Sequence, residues 1–440
     1  MALSPLDDRY ASKVAELEPI FSEKGLVRAR LQVEVEWLIF LGDKKLAPKV
    51  NAKKLRTLVD KFSVKDYGEV KKIESKTNHD VKAVELFLRK QVSKNVWPWI
   101  HFGCTSEDIN NTSYSLMLRE GQKLLTQEFG KVLQDLGKKA KTWKGVAMLA
   151  RTHGQTATPT TMGKEMAVFF HRLKMMAGTF RMVPVYGKFS GATGNFAAHT
   201  SALPKVDWIK YSQEFVEKRL GLTWNPLTTQ IEPHDGQALL LNQLSQGGAI
   251  LIDLCRDIWG YVSLGYFGQK VIKGEVGSST MPHKVNPIDF ENAEGNFKLM
   301  RGISRTLAEE LPISRWQRDL TDSTLQRNLG LVFGHFLLGL KSLEKGLCKL
   351  ELHQKIIKED LAKSPEVLTE AVQTVLRAHG VADAYDQLKK FSRGQALTMK
   401  QLHEFIDKTK LPKEAKDNLK KLTPETYIGL SVKLVDKFVK

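Results

Sequence analysis

Long stretches without proline, each carrying an apolar stripe at helical spacing, leave this chain little choice of fold. Residues 111–145 contain no proline, and Leu116, Leu124, Phe129, Val132 and Leu136 recur at intervals that share one helix face. Residues 233–282 have proline only at their two ends, and Leu240, Leu244, Leu251, Cys255, Ile258 and Val262 fall on one stripe. Similar patterns run over 162–182, 291–311 and 329–350, while strand-like alternation is confined to short pieces such as 182–189. The expected class is all-α. Helices this long bury their stripes by packing side by side, and the pair Gly247 and Gly248 lets a neighbouring helix approach closely. A bundle of about five such helices can be shared between subunits.

At 440 residues the chain exceeds what one compact core usually holds. Three domains are expected: an N-terminal helical domain over 1–110, a central long-helix bundle over 111–347 and a small helical domain over 348–440. The last is read from a change of signal, where Ser364-Pro365-Glu366 and Thr423-Pro424-Glu425 each place a cap before a proline and open a short helix.

Basic residues outnumber acidic ones by 67 to 49, a net charge of +18, which attracts nucleic acids or small polyanions alike. The lysines are interleaved with acids along helical segments, and no finger spacing or aromatic-basic RNA motif occurs, so a solvated basic surface is expected rather than a nucleic-acid partner. The longest nearly apolar run, 330–340, falls well short of the ~20 residues that span a bilayer. No membrane segment is expected. The opening MALSPLDDRY lacks the basic start and apolar stretch of a secretory leader, and Cys104, Cys255 and Cys348 have neither metal-ligand nor disulfide-scaffold spacing. A cytoplasmic protein is expected.

One loop has a composition unusual for a connector. Gly277-Ser278-Ser279-Thr280-Met281-Pro282-His283-Lys284-Val285-Asn286-Pro287 lies between two long helical patterns. Glycine permits close backbone approach, the serines offer hydroxyls and amides, and Lys284 and Asn286 add a cation and donors, so the loop can cradle a carboxylate. A polar interhelical linker ending in a proline stop is the ordinary explanation of such a stretch. Gly191-Ala192-Thr193-Gly194 is a weaker signal, because it lacks the three-glycine spacing and parallel βαβ setting of a dinucleotide site.

The loop resembles the signature of the aspartase, fumarase and argininosuccinate lyase superfamily. With Ile288-Asp289-Phe290-Glu291-Asn292 and the segments SPLDDRY, TNHDVKAVE, HFGCTSEDINNT, RTHGQTATP, TTQIEPHD and SRWQRDLTDSTLQRN, nearly the whole chain is similar to the bacterial adenylosuccinate lyase family. The resemblance implies the three-domain fumarase/aspartase-like fold, a homotetramer whose core takes helices from several subunits, and active sites shared between them. It implies β-elimination of fumarate from adenylosuccinate to give AMP, and from the succinyl aminoimidazole carboxamide ribotide, both in purine synthesis. Metal and cofactor are expected to be absent, since no HExxH, paired cysteines or acidic calcium loop occurs.

Such a reaction removes a weakly acidic proton beside a carboxylate and then expels the amine on the neighbouring carbon. The resemblance makes Ser278 the base, helped by Lys284 and loop amides, because a free serine hydroxyl does not ionise at neutral pH. His153 is implied as the acid that protonates the leaving nitrogen, and Glu291 as the carboxylate that orients it. His79 and His101 are implied to line the site near phosphate or succinyl oxygens, and Thr105 and Ser106 to hold the succinyl carboxylate. Thr105 with Asp108 also reads as a capping box at the start of a long helix. Arg9, Tyr10, Arg318, Ser323 and Arg327 match phosphate-holding positions, Arg being suited to bidentate pairing. Gln230 matches a position near the reacting carbons, and Asn78, Asp80, Ser279 and Asn292 match further binding positions. Val285 and Asn286 in the loop, and Thr324, Leu325 and Gln326 beside Ser323, complete the implied contacts.

Two alternatives stand beside this. A sister lyase acting on argininosuccinate, fumarate or aspartate shares the loop chemistry but has no use for phosphate-holding arginines. A non-catalytic basic helical protein accounts for the charge but not for Ser278, His153, Lys284 and Glu291 together.

Overall fold

A computed structural model describes residues 3–270, 281, 283–392 and 397–440. Ser278 and Ser279 therefore lie outside the described residues, as do Gly277, Thr280 and Pro282. Helices dominate as the spacing predicts. In chain order those that matter here are α1 (Glu23–Asp43), α2 (Val64–Thr77), α3 (Asp80–Arg89), α4 (Ser106–Thr142), α5 (Met162–Met182), α6 (Asp235–Ser263), α7 (Ile288–Glu310), α8 (Thr321–Gln326), α9 (Leu329–Lys349), α10 (Gln354–Ala362) and α11 (Thr369–Ala378).

Helices α4 and α7 start earlier than the spacing predicts, whereas α5 and α9 match their expected spans to within a residue. Helix α4 begins five residues before 111, with Glu107 and Asp108 in its first turn and Lys139 and Lys141 in its last, an arrangement that opposes its macrodipole. Helix α6 covers 29 residues. A methyl group added at Gly247 would come within 2.5 Å of the Met176 terminal methyl, and one at Gly248 within 2.5 Å of that of Met300, so flexible methionine side chains rather than a neighbouring backbone fill the space beside the glycine pair.

Three expectations need correction. A run-length criterion overlooked α6, which by length and composition is long and apolar enough to cross a membrane; 61% of its most apolar window is buried inside the protein, as in a core helix. At 182–189 the alternation yields only Tyr186–Gly187, paired in parallel with Thr223–Trp224, because α5 persists to Met182. Thr423 starts no helix: its N–H donates to the Thr426 hydroxyl, and the Thr426 N–H donates back to the Thr423 hydroxyl, closing a local turn.

The main β-structure is an antiparallel hairpin, β1 (Ala147–Thr152) and β2 (Gln155–Thr161), in a stretch that shows no clear alternation. Its register shifts between Leu149 and Ala150, beside Pro159, where a missing N–H is tolerated.

Contacts between Cα atoms divide the chain into two units. The first comprises Met1–Phe129, Met176–Ile252 and Ala293–Lys341, and its apolar packing includes two clusters. One gathers Val27, Leu31, Leu38, Phe87 and Leu88; the other is aromatic, with Trp37 packed on Phe189 and Phe215. The second unit comprises Gly130–Met175, Asp253–Asn292 and Ser342–Lys440. Its C-terminal helices close around Leu368, Leu376, Leu388, Leu402 and Ile406, and a smaller cluster joins Ala147 and Leu149 of the hairpin to Leu361 and Val367.

Candidate active site

In the first unit, one candidate group forms where α2 hands over to α3. Asn78 takes a left-handed conformation that ends α2, and His79 caps α3 by accepting the Lys82 N–H on Nδ1 at 3.2 Å. With Nδ1 an acceptor, neutral His79 carries its proton on Nε2, leaving that edge as a donor on a half-exposed ring. Asp80, the first residue of α3, sits between two arginines: Arg30 Nη2 at 2.8 Å and Arg327 Nη2 at 3.2 Å. Burial opposes ionisation of Asp80, but the Arg30 charge, the Val81 N–H and Arg327 together hold its pKa below the ordinary carboxylate value. Arg327 is pinned further by Glu23 at 2.7 Å. An arginine expected to hold phosphate is thus already oriented by two carboxylates. Arg9 and Tyr10 lie between the short helical turns Pro5–Asp7 and Ala11–Lys13, with the guanidinium carbon 5.6 Å from the ring centre.

A second group surrounds the start of α4. His101, at φ +60°, places Nδ1 2.6 Å from Glu34 Oε1, and Glu34 is fully buried. Burial alone would lower the His101 pKa, yet the facing Glu34 charge and hydrogen bond, with Glu85 further off, raise it above the usual imidazole value. Thr105 and Ser106 open α4. Asp108 makes half of the expected capping box, accepting the Thr105 N–H at 2.8 Å.

The rest of Asp108 was not anticipated. Its carboxylate also accepts the N–H groups of Ser190 and Gly191 and pairs with Lys188 Nζ at 3.0 Å, both side chains being fully buried. Lys188 Nζ in turn donates to the Gly191 carbonyl at 2.7 Å. The glycine segment set aside as a poor dinucleotide fingerprint is therefore folded onto the helix that carries Thr105 and Ser106. The Ala192 carbonyl accepts from Gln230, whose Oε1 accepts from Arg318 Nη1 at 3.2 Å; Arg318 Nη2 then reaches Glu107 at 2.9 Å. Gln230, Arg318 and the start of α4 are thus brought together within one chain.

Ser323, Thr324, Leu325 and Gln326 lie on α8. With them is a buried set of which the sequence named only Gln326. His234, at φ +65°, holds Nε2 3.5 Å from Asp322 Oδ2, the other Asp322 oxygen accepts the Ser323 N–H at 2.7 Å, and Gln326 donates to Gln237 at 3.1 Å. The available signal was the cluster of acids and amides in IEPHDGQ and LTDSTLQ, but no spacing rule pairs the two.

The second unit carries the proton-transfer candidates. His153 and Gly154 form the tip of the β1–β2 hairpin, at φ +53° and +73°. Two successive positive φ values define the tight hairpin turn whose twist matches the strands. His153 is exposed. Glu291, in the first turn of α7, accepts the Trp259 indole N–H at 3.2 Å, so within a single chain its hydrogen-bond partner is Trp259 and not His153. Asn292 accepts the Ser342 hydroxyl at 2.7 Å. Lys284 and Val285 are exposed, whereas Asn286 is half-buried.

This arrangement offers cationic, donor-rich groups in the first unit and exposed acid-base groups in the second. Residues 8–302 match the family described as lyase, and residues 314–428 match the C-terminal region of adenylosuccinate lyase. In structure the chain resembles a fumarate lyase from Mesorhizobium sp. BNC1, with TM-score 0.80 and 20% identity over 97% of both chains. It also resembles a 3-carboxy-cis,cis-muconate lactonizing enzyme from Pseudomonas putida, with TM-score 0.77 and 21% identity over 99% of this chain and 98% of that one. The fold is that of the fumarase/aspartase superfamily of lyases. In sequence it is 47% identical to an adenylosuccinate lyase of Haemophilus influenzae and 46% identical to that of Escherichia coli K12, each over 99% of this chain and 98% of the relative. The chain belongs to the adenylosuccinate lyase family.

Proposed function

We propose that this protein cleaves adenylosuccinate to AMP and fumarate, and cleaves the succinyl aminoimidazole carboxamide ribotide in the same way. The observation that carries the proposal is the near-half identity to adenylosuccinate lyases over almost the full chain, together with the matching C-terminal region. Removal of the proton beside a succinyl carboxylate leaves a carbanion whose charge spreads into that carboxylate. Donors fixed in advance around it lower the barrier, and loss of one typically costs ~2.7–4 kcal/mol. Lys284, Asn286 and the loop amides supply that field, with Ser278 as base. The carbon–nitrogen bond then breaks, its electron pair passes to nitrogen, His153 gives that nitrogen a proton, and the new carbon–carbon double bond is fumarate.

The first unit binds the nucleotide end in this scheme. Arg327 and Arg318 face the phosphate with Ser323, His79 donates from Nε2, and Thr105 and Ser106 offer the α4 N-terminus to the succinyl group. A homotetramer with shared sites is part of the proposal. It is supported by large apolar side chains left exposed on long helices, among them Met175, Met182, Trp259 and Leu299, and by the exposure of His153. A cytoplasmic setting is part of the proposal, supported by the sparse cysteines Cys104, Cys255 and Cys348, whose spacing fits no secreted disulfide scaffold.

The test is fumarate release by the purified protein from adenylosuccinate and, in parallel, from argininosuccinate. Turnover of adenylosuccinate alone, abolished in Ser278→Ala, is expected. Turnover of argininosuccinate instead would move the protein to a sister activity, and full activity of Ser278→Ala would remove Ser278 as the base.

A further inference from the structure

The hairpin that carries His153 is held at its root by a polar cluster that the chemistry above does not use. Arg151, two residues before His153, donates from Nη2 to Asp360 Oδ2 at 2.6 Å and from Nη1 to the Tyr266 hydroxyl at 3.0 Å. The Tyr266 hydroxyl donates to the same Asp360 oxygen, and the Arg151 guanidinium lies 5.4 Å from the Tyr266 ring centre. The three groups close a triangle, so rotation of any one breaks two hydrogen bonds.

Each corner comes from a different element of the second unit. Arg151 is on β1, Asp360 is on α10, and Tyr266 immediately precedes the strand Phe267–Gln269, which pairs with Leu350–Leu352. Tyr266 is buried, and its carbonyl accepts the His353 N–H at 2.9 Å. On the other side of the hairpin, the Thr158 hydroxyl donates to Glu370 on α11. Ala147 and Leu149 pack on Leu361 and Val367 beneath. The C-terminal region therefore grips both strands of a turn whose tip is otherwise exposed.

We propose that Asp360 is a positioning residue for His153: through Arg151 and Tyr266 it sets where the hairpin tip presents the imidazole. The proposal rests on His153 being the general acid. A two-residue turn gives the tip little independent freedom, so tilt at the root passes directly to the ring. A displacement of about 1 Å at a reacting group lowers turnover by as much as about 10²-fold.

The experiment is a double-mutant cycle on the full-length protein, reading kcat and KM for fumarate release from adenylosuccinate. Asp360→Asn is expected to lower kcat about tenfold or more with KM changed less than about twofold. Added to His153→Ala, the same change is expected to lower the residual kcat by less than about twofold, because the group it positions is gone. Tyr266→Phe, which removes only the hydroxyl, is expected to show a smaller loss of the same kind and keeps the test open if Asp360→Asn fails to fold. Glu425→Gln, at an exposed ion pair with Lys358, is the control that leaves kcat unchanged. Unaltered kcat in both Asp360→Asn and Tyr266→Phe overturns the proposal, as does an equal fold-loss with and without His153. Full activity of His153→Ala alone would instead defeat the acid assignment on which it rests.

Discussion

The two units treat their functional side chains in opposite ways. In the first, almost every candidate is tied into a charge-paired or hydrogen-bonded set before any substrate arrives: Asp80 between two arginines, His101 on Glu34, Arg318 between Gln230 and Glu107. In the second, His153 stands exposed on a turn and Lys284 is exposed, with order supplied from the hairpin root. Groups that bind a multiply charged ligand gain from being fixed beforehand, since less freedom is then lost on binding. Groups that move protons must stay reachable, and their supporting contacts lie one layer away.

The contrast can be broken experimentally. The largest effect is expected at the exposed tip: His153→Ala should lower kcat by about 10²–10⁴-fold with little change in unfolding, because its side chain is exposed. A thermal shift comparable to that of a core variant would show that the tip is structural after all. The next effect belongs to the first unit and is one of stability. Asp108→Ala leaves Lys188 buried without its counter-charge, a loss expected to cost ~3–5 kcal/mol in urea unfolding. A loss below ~1 kcal/mol would mean that the Gly191 carbonyl alone satisfies the ammonium.

Arg327→Ala should raise KM for adenylosuccinate by an amount corresponding to ~1.5–3 kcal/mol and leave kcat nearly unchanged, as expected for a charged binding contact. A fall in kcat at constant KM would place Arg327 in the chemistry instead. The smallest effect is a difference in pH dependence between the units. The His101 pKa is raised in the fold, so its pair with Glu34 stabilises fully below the ordinary imidazole value of about 6.5 and fades as pH rises through the folded value. Burial opposes ionisation of Asp360, but hydrogen bonds from Tyr266 and Arg151 hold its pKa below the ordinary carboxylate value. Its contribution is therefore present above about pH 3.9 and fades on acidification. His101→Gln and Asp360→Asn, compared with the parent in urea from acid to alkaline pH, should differ from it most at opposite ends of the range. Parallel profiles would remove the distinction.

Sequence alone was enough to settle the all-α class, the long helices and the family, because helical periodicity is local and the loop 277–287 and its companion segments are contiguous strings. It named Gln230, Arg318, Thr105 and Ser106 singly, but not the hydrogen bonds that join Gln230 and Arg318 to the α4 N-terminus. The His153 hairpin was within reach of sequence, since threonine-rich flanks around His153-Gly154 form a turn signal, but proline in β2 and weak alternation concealed it.

What only the tertiary structure decided is which charges face each other. Asp108 looked like a cap and is a buried clamp on Lys188 and the Gly191 segment; Asp360 belongs to no motif and grips the root of the His153 turn. Both depend on partners roughly 80 to 210 residues away along the chain. Separation of that size carries no period, and a carboxylate has the same appearance in a sequence whether its counter-charge is a buried lysine or water.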